Sequence, residues 1–133
     1  MNWLNVQLEN NPQKVYIQEG SNSYTYLDVA EMVQAYSQAL LRERVQVGDR
    51  ILIYLPCNIM MAEIILSCFD IGVIACPIST KMTKNELDVI VGNLQPRLII
   101  ADWNKREKFK KQSFPLTCIE ELLISSGGCS VFK

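Results

Sequence analysis

An unbroken run of large apolar residues, Ile51 to Leu55, constrains the fold more than any other feature of this sequence. A polar turn at positions 47–50 precedes the run, and Pro56 closes it. A strand with one face in water alternates apolar and polar residues, whereas this run does not. The run therefore predicts a strand that is buried on both faces of a sheet.

The residues after this strand predict a β–α–β unit. Residues 59–71 are too many for a typical strand, and they are apolar apart from Glu63, Ser67 and Asp70, which share one narrow stripe at helical spacing. Gly72 ends the predicted helix, and a second apolar run follows at 73–78. A buried helix between two buried strands is typical of a parallel sheet.

Capping boxes mark the starts of further helices. In such a box a threonine and an acidic residue three positions later each accept the other's backbone N–H. Thr25 and Thr83 begin two of these boxes, and a third, from Thr117 to Glu120, predicts a helix turn near the end of the chain. The predicted elements are a short helix that ends before Pro12, a hairpin over 14–26, helices at about 26–43, 59–71 and 84–94, and parallel, central strands at about 51–55, 73–78 and 98–101.

The predicted fold is therefore a three-layer α/β structure, with a mostly parallel sheet, helices on both of its faces and a small N-terminal β-hairpin. A chain of 133 residues is expected to form a single domain over 1–133. Its end, residues 125–133, is rich in glycine and serine and is expected to be a flexible tail.

The composition removes several classes of function. A net charge of −1 gives no support to nucleic-acid binding, and the longest apolar segment is far short of the ~20 residues of a membrane helix. The absence of histidine removes histidine-based metal sites and Ser–His or Cys–His catalysis. The N-terminus has no apolar signal core, and the five cysteines form no CxxC pair, so we expect a cytoplasmic location.

Few residues are candidates for chemistry, and each has a simpler structural explanation. Glu63, Ser67 and Asp70 could form a catalytic stripe, but such a stripe is more typical of the edge of a buried helix that reaches water. Cys57 could be a nucleophile near a helix N-terminus, but the chain has no histidine to activate it. Asp49 is expected to orient its turn.

Three other segments bear on ligand binding. Residues 125–128, Ser-Ser-Gly-Gly, resemble part of a phosphate loop but lack its later lysine and hydroxyl residue, which favours a flexible end. The basic run at 105–111 predicts a solvated helix or loop, with a site for a phosphate-bearing partner as the alternative. Ligands of open α/β sheets lie beyond the carboxyl ends of the strands. Here these ends carry Cys57-Asn58, Ser79-Thr80-Lys81 and Asp102-Trp103.

Six short segments follow one another in a diagnostic order. They are Tyr-Thr-Tyr-Leu at 24–27, Val-Gly-Asp-Arg at 47–50, the strand and turn at 51–58, Gly-Val-Ile-Ala-Cys-Pro-Ile at 72–78, Met-Thr-Lys-Asn-Glu-Leu at 82–87 and Pro-Arg-Leu-Ile-Ile at 96–100. In this order they resemble the start of the adenylate-forming superfamily, which includes acyl-CoA synthetases, aryl-CoA ligases, luciferases and peptide-synthetase adenylation domains. Cys57-Asn58 departs from the family's Asn-Ser, a change that leaves the fold assignment intact.

The resemblance implies a ligase that works in two half-reactions. A carboxylate attacks ATP to give an acyl-adenylate and pyrophosphate, and the thiol of coenzyme A then displaces AMP. ATP, magnesium and coenzyme A are thus implied for the full-length protein, with a small carboxylic acid as substrate. The short N-terminus is similar to that of compact bacterial members such as o-succinylbenzoate–CoA ligase, so the candidate acids are o-succinylbenzoate and a fatty or aryl acid.

The family's lysine-bearing phosphate loop, magnesium motif and catalytic C-terminal lysine do not occur in these 133 residues. We therefore expect an N-terminal fragment that is inactive alone and carries no catalytic, cofactor-binding or metal-binding residue. Its partner would be the remainder of the ligase, and its uncovered apolar surface predicts self-association. Two alternatives to the ligase fragment stay open. One is a non-enzymatic, truncated interaction module, and the other is a flavodoxin-like domain that binds a nucleotide or flavin at the strand ends.

Overall fold

The elements of the computed structural model, which describes residues 2–110 and 113–124, follow the predicted order closely. They are α1 (Asn2–Asn10), β1 (Val15–Glu19), β2 (Asn22–Thr25), α2 (Tyr26–Arg42), β3 (Arg50–Tyr54), α3 (Ile59–Ile71), β4 (Ile74–Pro77), α4 (Lys84–Leu94), β5 (Leu98–Ala101), a 3₁₀ helix (Trp103–Phe109), β6 (Leu116–Cys118) and α5 (Ile119–Leu122). None of the described helices is long and apolar enough to cross a membrane. The predicted tail at 125–133 lies outside the described residues.

Four strands form one sheet in the order β4-β3-β5-β6, and every pairing in it is parallel. Ile53 of β3 is opposite Pro77 on one side and Ile100 on the other. The hairpin of β1 and β2 is a separate antiparallel pair, with Glu19 opposite Asn22. The predicted parallel sheet and N-terminal hairpin are therefore confirmed.

Strand β3 is buried on both faces, and this burial creates three layers. Ile51 and Ile53 belong to a core cluster with residues of α2, α3 and α5. Leu52 and Tyr54 belong to a second cluster, with residues of α4 and with Phe109 of the 3₁₀ helix. All four strand side chains have an exposed fraction of 0%, as the run without polar residues predicts.

Local sequence signals set the ends of the helices. The Asp28 N–H donates to Thr25 Oγ1 at 3.1 Å while the Thr25 N–H donates to Asp28 Oδ2 at 2.9 Å, so the predicted capping box is present. Thr83 and Glu86 form the same pair of bonds at the start of α4. Gly72 ends α3 at a φ of 78°, a left-handed conformation that glycine adopts without steric cost.

The prediction that residues 73–78 form a central strand is wrong. Among the described strands β4 pairs with β3 alone, so it is an edge strand, and its Ile74 and Pro77 are exposed. Proline has no N–H to donate and is tolerated where one side of a strand has no partner. Pro77 was therefore a sign of an edge position.

The last strand, β6, is not predicted by the sequence. It pairs with β5 through only three residues, too few to show a strand pattern. The predicted capping box from Thr117 to Glu120 is also wrong, because α5 begins after Cys118 without a side-chain cap. Instead, the carboxylate of Glu120 accepts the N–H of Trp103 at 3.0 and 3.2 Å, which ties α5 to the end of β5.

Replacing Ile53 with aspartate is expected to abolish folding. The substitution would place an unpaired carboxylate between two buried layers, at a cost of several kcal/mol against a typical total stability of about 5–15 kcal/mol. Val89→Asp is the matched control, since Val89 is 61% exposed on α4 and should tolerate the charge. Circular dichroism with urea titration would measure both variants. A cooperative urea transition for Ile53→Asp would contradict the central position of β3.

Candidate functional site

The loops that follow β3 and β4 enclose an open cavity of about 430 Å³ at the carboxyl edge of the sheet. Its lining consists of residues 55–57, Met61 and residues 77–81. Cys57 and the segment 79–81 therefore lie together, as predicted for residues beyond the carboxyl ends of neighbouring parallel strands. Asn58 instead caps α3, where its Oδ1 accepts the N–H of Met61 at 3.2 Å, and Asp102 and Trp103 do not line the cavity.

Tyr54 holds the loop after β4 against β3. Its hydroxyl donates to the carbonyl oxygen of Thr80 at 3.1 Å and accepts from Lys108 Nζ at 3.1 Å. Its ring packs edge-on against Phe109, with 5.2 Å between the ring centres. The wall of the strand-end cavity is therefore fixed by a residue from the middle of the sheet.

A carboxylate of the hairpin occupies the N-terminus of α3. Glu19 Oε2 accepts the backbone N–H of Ile59 at 2.9 Å. Free N–H groups and the helix dipole make a helix N-terminus favourable for an anion. Because Glu19 already supplies that anion, this end of α3 holds the hairpin in place.

The basic run forms most of the 3₁₀ helix, which confirms the predicted helix or loop. Arg106 lies over the Trp103 ring, 3.7 Å from its guanidinium carbon to the ring centre, and Lys110 Nζ pairs with Glu107 Oε2 at 2.9 Å. Lys108 contacts Tyr54, as described above. Three of the cations therefore bind groups of the chain itself. The last residue of the run, 111, lies outside the described residues, as does the glycine segment 125–128.

The structure also describes Cys57 and Asp49, the other two residues that the sequence singled out. Cys57 is an exposed free thiol, and the chain offers no histidine to activate it. Asp49 Oδ2 accepts the N–H of Gln46 at 2.7 Å, so Asp49 orients its turn as predicted.

The polar stripe of α3 faces helix α2. The prediction that the stripe reaches water is therefore wrong for Glu63 and Ser67, whereas Asp70 is exposed. Ser67 is completely buried, and its Oγ lies 2.7 Å from the carbonyl oxygen of Glu63 and 3.2 Å from that of Val33 on α2. Asp70 Oδ2 accepts the hydroxyl of Ser37 at 2.9 Å. Glu63 is only 5% exposed. The stripe is therefore a polar seam between α2 and α3, which both pack on the face of the sheet that carries Ile51 and Ile53.

A second open cavity, of about 480 Å³, lies where the hairpin meets the first turns of α2 and α3. Three acidic residues line it, Asp28 and Glu31 from α2 and Glu63 from α3. Burial raises the pKa of Glu63 to about 7. Burial, and next the nearby carboxylate of Glu63, also raise the pKa of the Tyr36 hydroxyl. The sequence marked Glu63 as an acidic residue inside an otherwise apolar helix, but it did not predict that Asp28 and Glu31 of another helix line the same cavity.

Two features of the described residues bear on nucleotide and metal binding. Within residues 2–110 and 113–124, no three acidic or cysteine side chains are grouped so that they could hold a metal ion. The N-terminus of α3, the natural place for a phosphate beside the strand ends, already binds Glu19.

Known proteins share both the sequence pattern and the fold. Residues 4–127 match the family model described as AMP-binding enzyme. A 2-succinylbenzoate–CoA ligase of Oceanobacillus iheyensis is 31% identical over 115 residues, which cover 86% of this chain and 23% of that protein. A ligase of the same name from Geobacillus kaustophilus is 26% identical over 101 residues, which cover 76% of this chain and 21% of that protein.

Solved structures superpose on the chain, and two of them with a TM-score of 0.83 are described here. One is the o-succinylbenzoate coenzyme A synthetase MenE of Bacillus subtilis in complex with ATP and magnesium ion, at 20% identity over 92% of this chain and 33% of that one. The other is VinN with L-aspartate, at 21% identity over 99% of this chain and 40% of that one. At these identities the comparison establishes the fold.

The parallel sheet, its helices and the matched segments define an α/β domain of the adenylate-forming type. The chain belongs to the AMP-binding enzyme family. It spans less than a quarter of the length of the curated relatives described above.

The contribution of Glu63 to the stability of the chain is expected to fall as the pH rises from 4.5 to 7. Burial raises the pKa of Glu63 from 4.5 to about 7, so in this range the folded state holds a proton that the unfolded state has released. Glu63→Gln removes this effect and should stabilise the chain at pH 8 by about 1–3 kcal/mol, since one pKa unit corresponds to about 1.4 kcal/mol.

Urea titrations at pH 5 and pH 8 would compare Glu63→Gln with the native chain. Glu9→Gln removes the same charge from an exposed position on α1 and serves as the control. The stabilisation by Glu63→Gln should be larger at pH 8 than at pH 5. An equal effect at both pH values would show that Glu63 titrates normally.

Proposed function

We propose that this chain is the N-terminal part of an ATP-dependent acid–CoA ligase, with 2-succinylbenzoate as the candidate acid. The observation that supports this most is the family match over residues 4–127 together with the relative from O. iheyensis. Solved structures of the B. subtilis enzyme with ATP and magnesium, and with the acyl-adenylate OSB-AMP, share the fold. The complete ligase would convert the acid, ATP and coenzyme A to acyl-CoA, AMP and pyrophosphate.

In this proposal the chain serves as scaffold. Its rigid parts are the doubly buried strand β3 and the loop that Tyr54 fixes through Thr80. These features would form a wall beside the reaction site, and the phosphate-binding and metal-binding groups would come from other segments. The lack of a metal-binding group among the described residues supports this division of roles.

The remainder of the ligase is the proposed partner. Several apolar side chains are exposed on the described surface, among them Val47 at 82%, Phe69 at 62% and Val89 at 61%. Apolar surface of this kind is commonly covered by another segment or chain. A chain that lacks such a cover would be expected to self-associate.

Membership of the AMP-binding enzyme family excludes the flavodoxin-like alternative. A non-enzymatic interaction module of the same fold would expose the same apolar side chains. The two functions differ in the reading frame beyond Lys133, because a ligase requires it to continue into a lysine-bearing phosphate loop.

The purified 133-residue chain is expected to show no carboxylate-dependent exchange of pyrophosphate into ATP. Phosphoryl-type transfer depends on positioned charge, and the described residues contain no lysine-bearing phosphate loop and no metal-binding group. Isotope exchange with 2-succinylbenzoate and a panel of fatty and aryl acids would measure this activity. Isothermal titration with ATP and magnesium should likewise give no binding heat.

The full-length ligase of O. iheyensis, assayed in parallel, is the positive control. A chimera in which this chain replaces the matching segment of that ligase would test the scaffold role separately. Its 2-succinylbenzoate–CoA formation should exceed that of the ligase without the segment. Exchange by the isolated chain above the protein-free background would contradict the proposal that the active site lies elsewhere.

A further inference from the structure

The cavity between the hairpin, α2 and α3 is distinct from the strand-end cavity, and the proposed function gives it no role. We call it the acidic cavity, and it is lined by Asp28, Glu31, Glu63, the aromatic residues Tyr24 and Tyr36, Met32, Ile59, Met60 and Ser23. Its volume is about 480 Å³, enough for a small organic group. No lysine or arginine is among these lining residues.

Glu63 lines the acidic cavity but has no partner of its own. Only 5% of the residue is exposed, and within the described part of the chain no hydrogen bond or ion pair reaches its carboxylate. No fully buried side-chain oxygen of the described residues lacks a partner, so the carboxylate oxygens of Glu63 remain accessible from the cavity. Withdrawing a carboxylate this far from water is costly, and an opposite charge within a few ångström relieves that cost. Burial alone accounts for its raised pKa, which agrees with the absence of a cationic neighbour.

The other lining groups select the kind of cation. The Asp28 carboxylate already binds the N–H of Thr25, and the exposed Glu31 adds a second negative charge at the rim. The acidic residues of the described chain are not grouped as metal ligands, so a metal ion is not favoured. Methionine side chains adapt to an aliphatic stem, and tyrosine rings attract a cation through their faces.

We propose that the acidic cavity binds an organic cation on a short aliphatic stem, an alkylguanidinium or alkylammonium group. The cation would pair with the Glu63 carboxylate at the buried end, with Glu31 beside it, and the stem would lie against Met32 and Met60. Such a group occurs both in free amines and in arginine or lysine side chains of a polypeptide.

Butylguanidinium chloride is the probe for the 133-residue chain at pH 8, with binding followed by the NMR signals of the Met32 and Met60 methyl groups. Saturable shifts are expected, and butylurea, which has a similar shape without charge, should not produce them. Glu63→Gln should weaken binding about tenfold or more, because a charge-assisted bond at a buried site is lost. Glu9→Gln, with the same loss of charge outside the cavity, should leave affinity unchanged.

Thermal melting would confirm that each variant is folded. If Glu63→Gln does not fold, Glu31→Gln supplies the test, with an expected weakening of about two- to fivefold for a more exposed pair. Saturating butylguanidinium should also lower the titration midpoint of the Glu63 carboxyl carbon in the native chain. Absence of saturable shifts, or equal affinity in the native chain and the folded cavity variant, would overturn the proposal.

Two further ligands distinguish the source of the cation. A capped glycine-arginine-glycine peptide tests a polypeptide donor, and butylammonium tests a free amine. Peptide binding at least as tight as that of butylguanidinium would support a side chain of another polypeptide segment. Binding of the small cations alone would support a free organic ligand.

Discussion

The burial of β3 on both faces is the constraint on which the rest of the structure depends. Ile51 and Ile53 pack against α2, α3 and α5, while Leu52 and Tyr54 pack against α4 and the 3₁₀ helix. Full burial of each large apolar side chain contributes roughly 1.5–3 kcal/mol. Since neither face of this strand can remain in water, helices must cover both faces, and α3 and α4 lie on opposite ones.

The same arrangement determines where the two cavities form. Parallel strands bring the loops after β3 and β4 to one edge, where Tyr54 ties the second loop to the sheet. The packing of α2 on α3 buries Ser67 and turns Glu63 toward the hairpin, where Glu19 holds the first turn of α3. Both cavities therefore adjoin the first turn of α3. Met61 lines the strand-end cavity, and Ile59 and Met60 line the acidic cavity.

Local signals predicted most of the fold, because they act through neighbours in the sequence. The unbroken run at 51–55 identified the buried strand, and Thr25 and Thr83 identified two helix starts. The failures depend on contacts between distant segments. The short strand β6 forms because it can pair with β5. The Glu120 carboxylate accepts the N–H of Trp103 rather than an N–H at the start of its own helix. Glu63 is buried because α2 covers it, which helical spacing within α3 alone does not reveal.

Hydrogen exchange of the backbone amides in the native chain tests the central place of β3 most directly. Amides that open only on global unfolding exchange slowest, whereas those in peripheral elements exchange through local opening. The amides of residues 51–54 should be among the slowest in the chain, far slower than those of α1 and of the hairpin β1–β2. Exchange of residues 51–54 as fast as that of α1 would contradict a fold organised around a doubly buried strand.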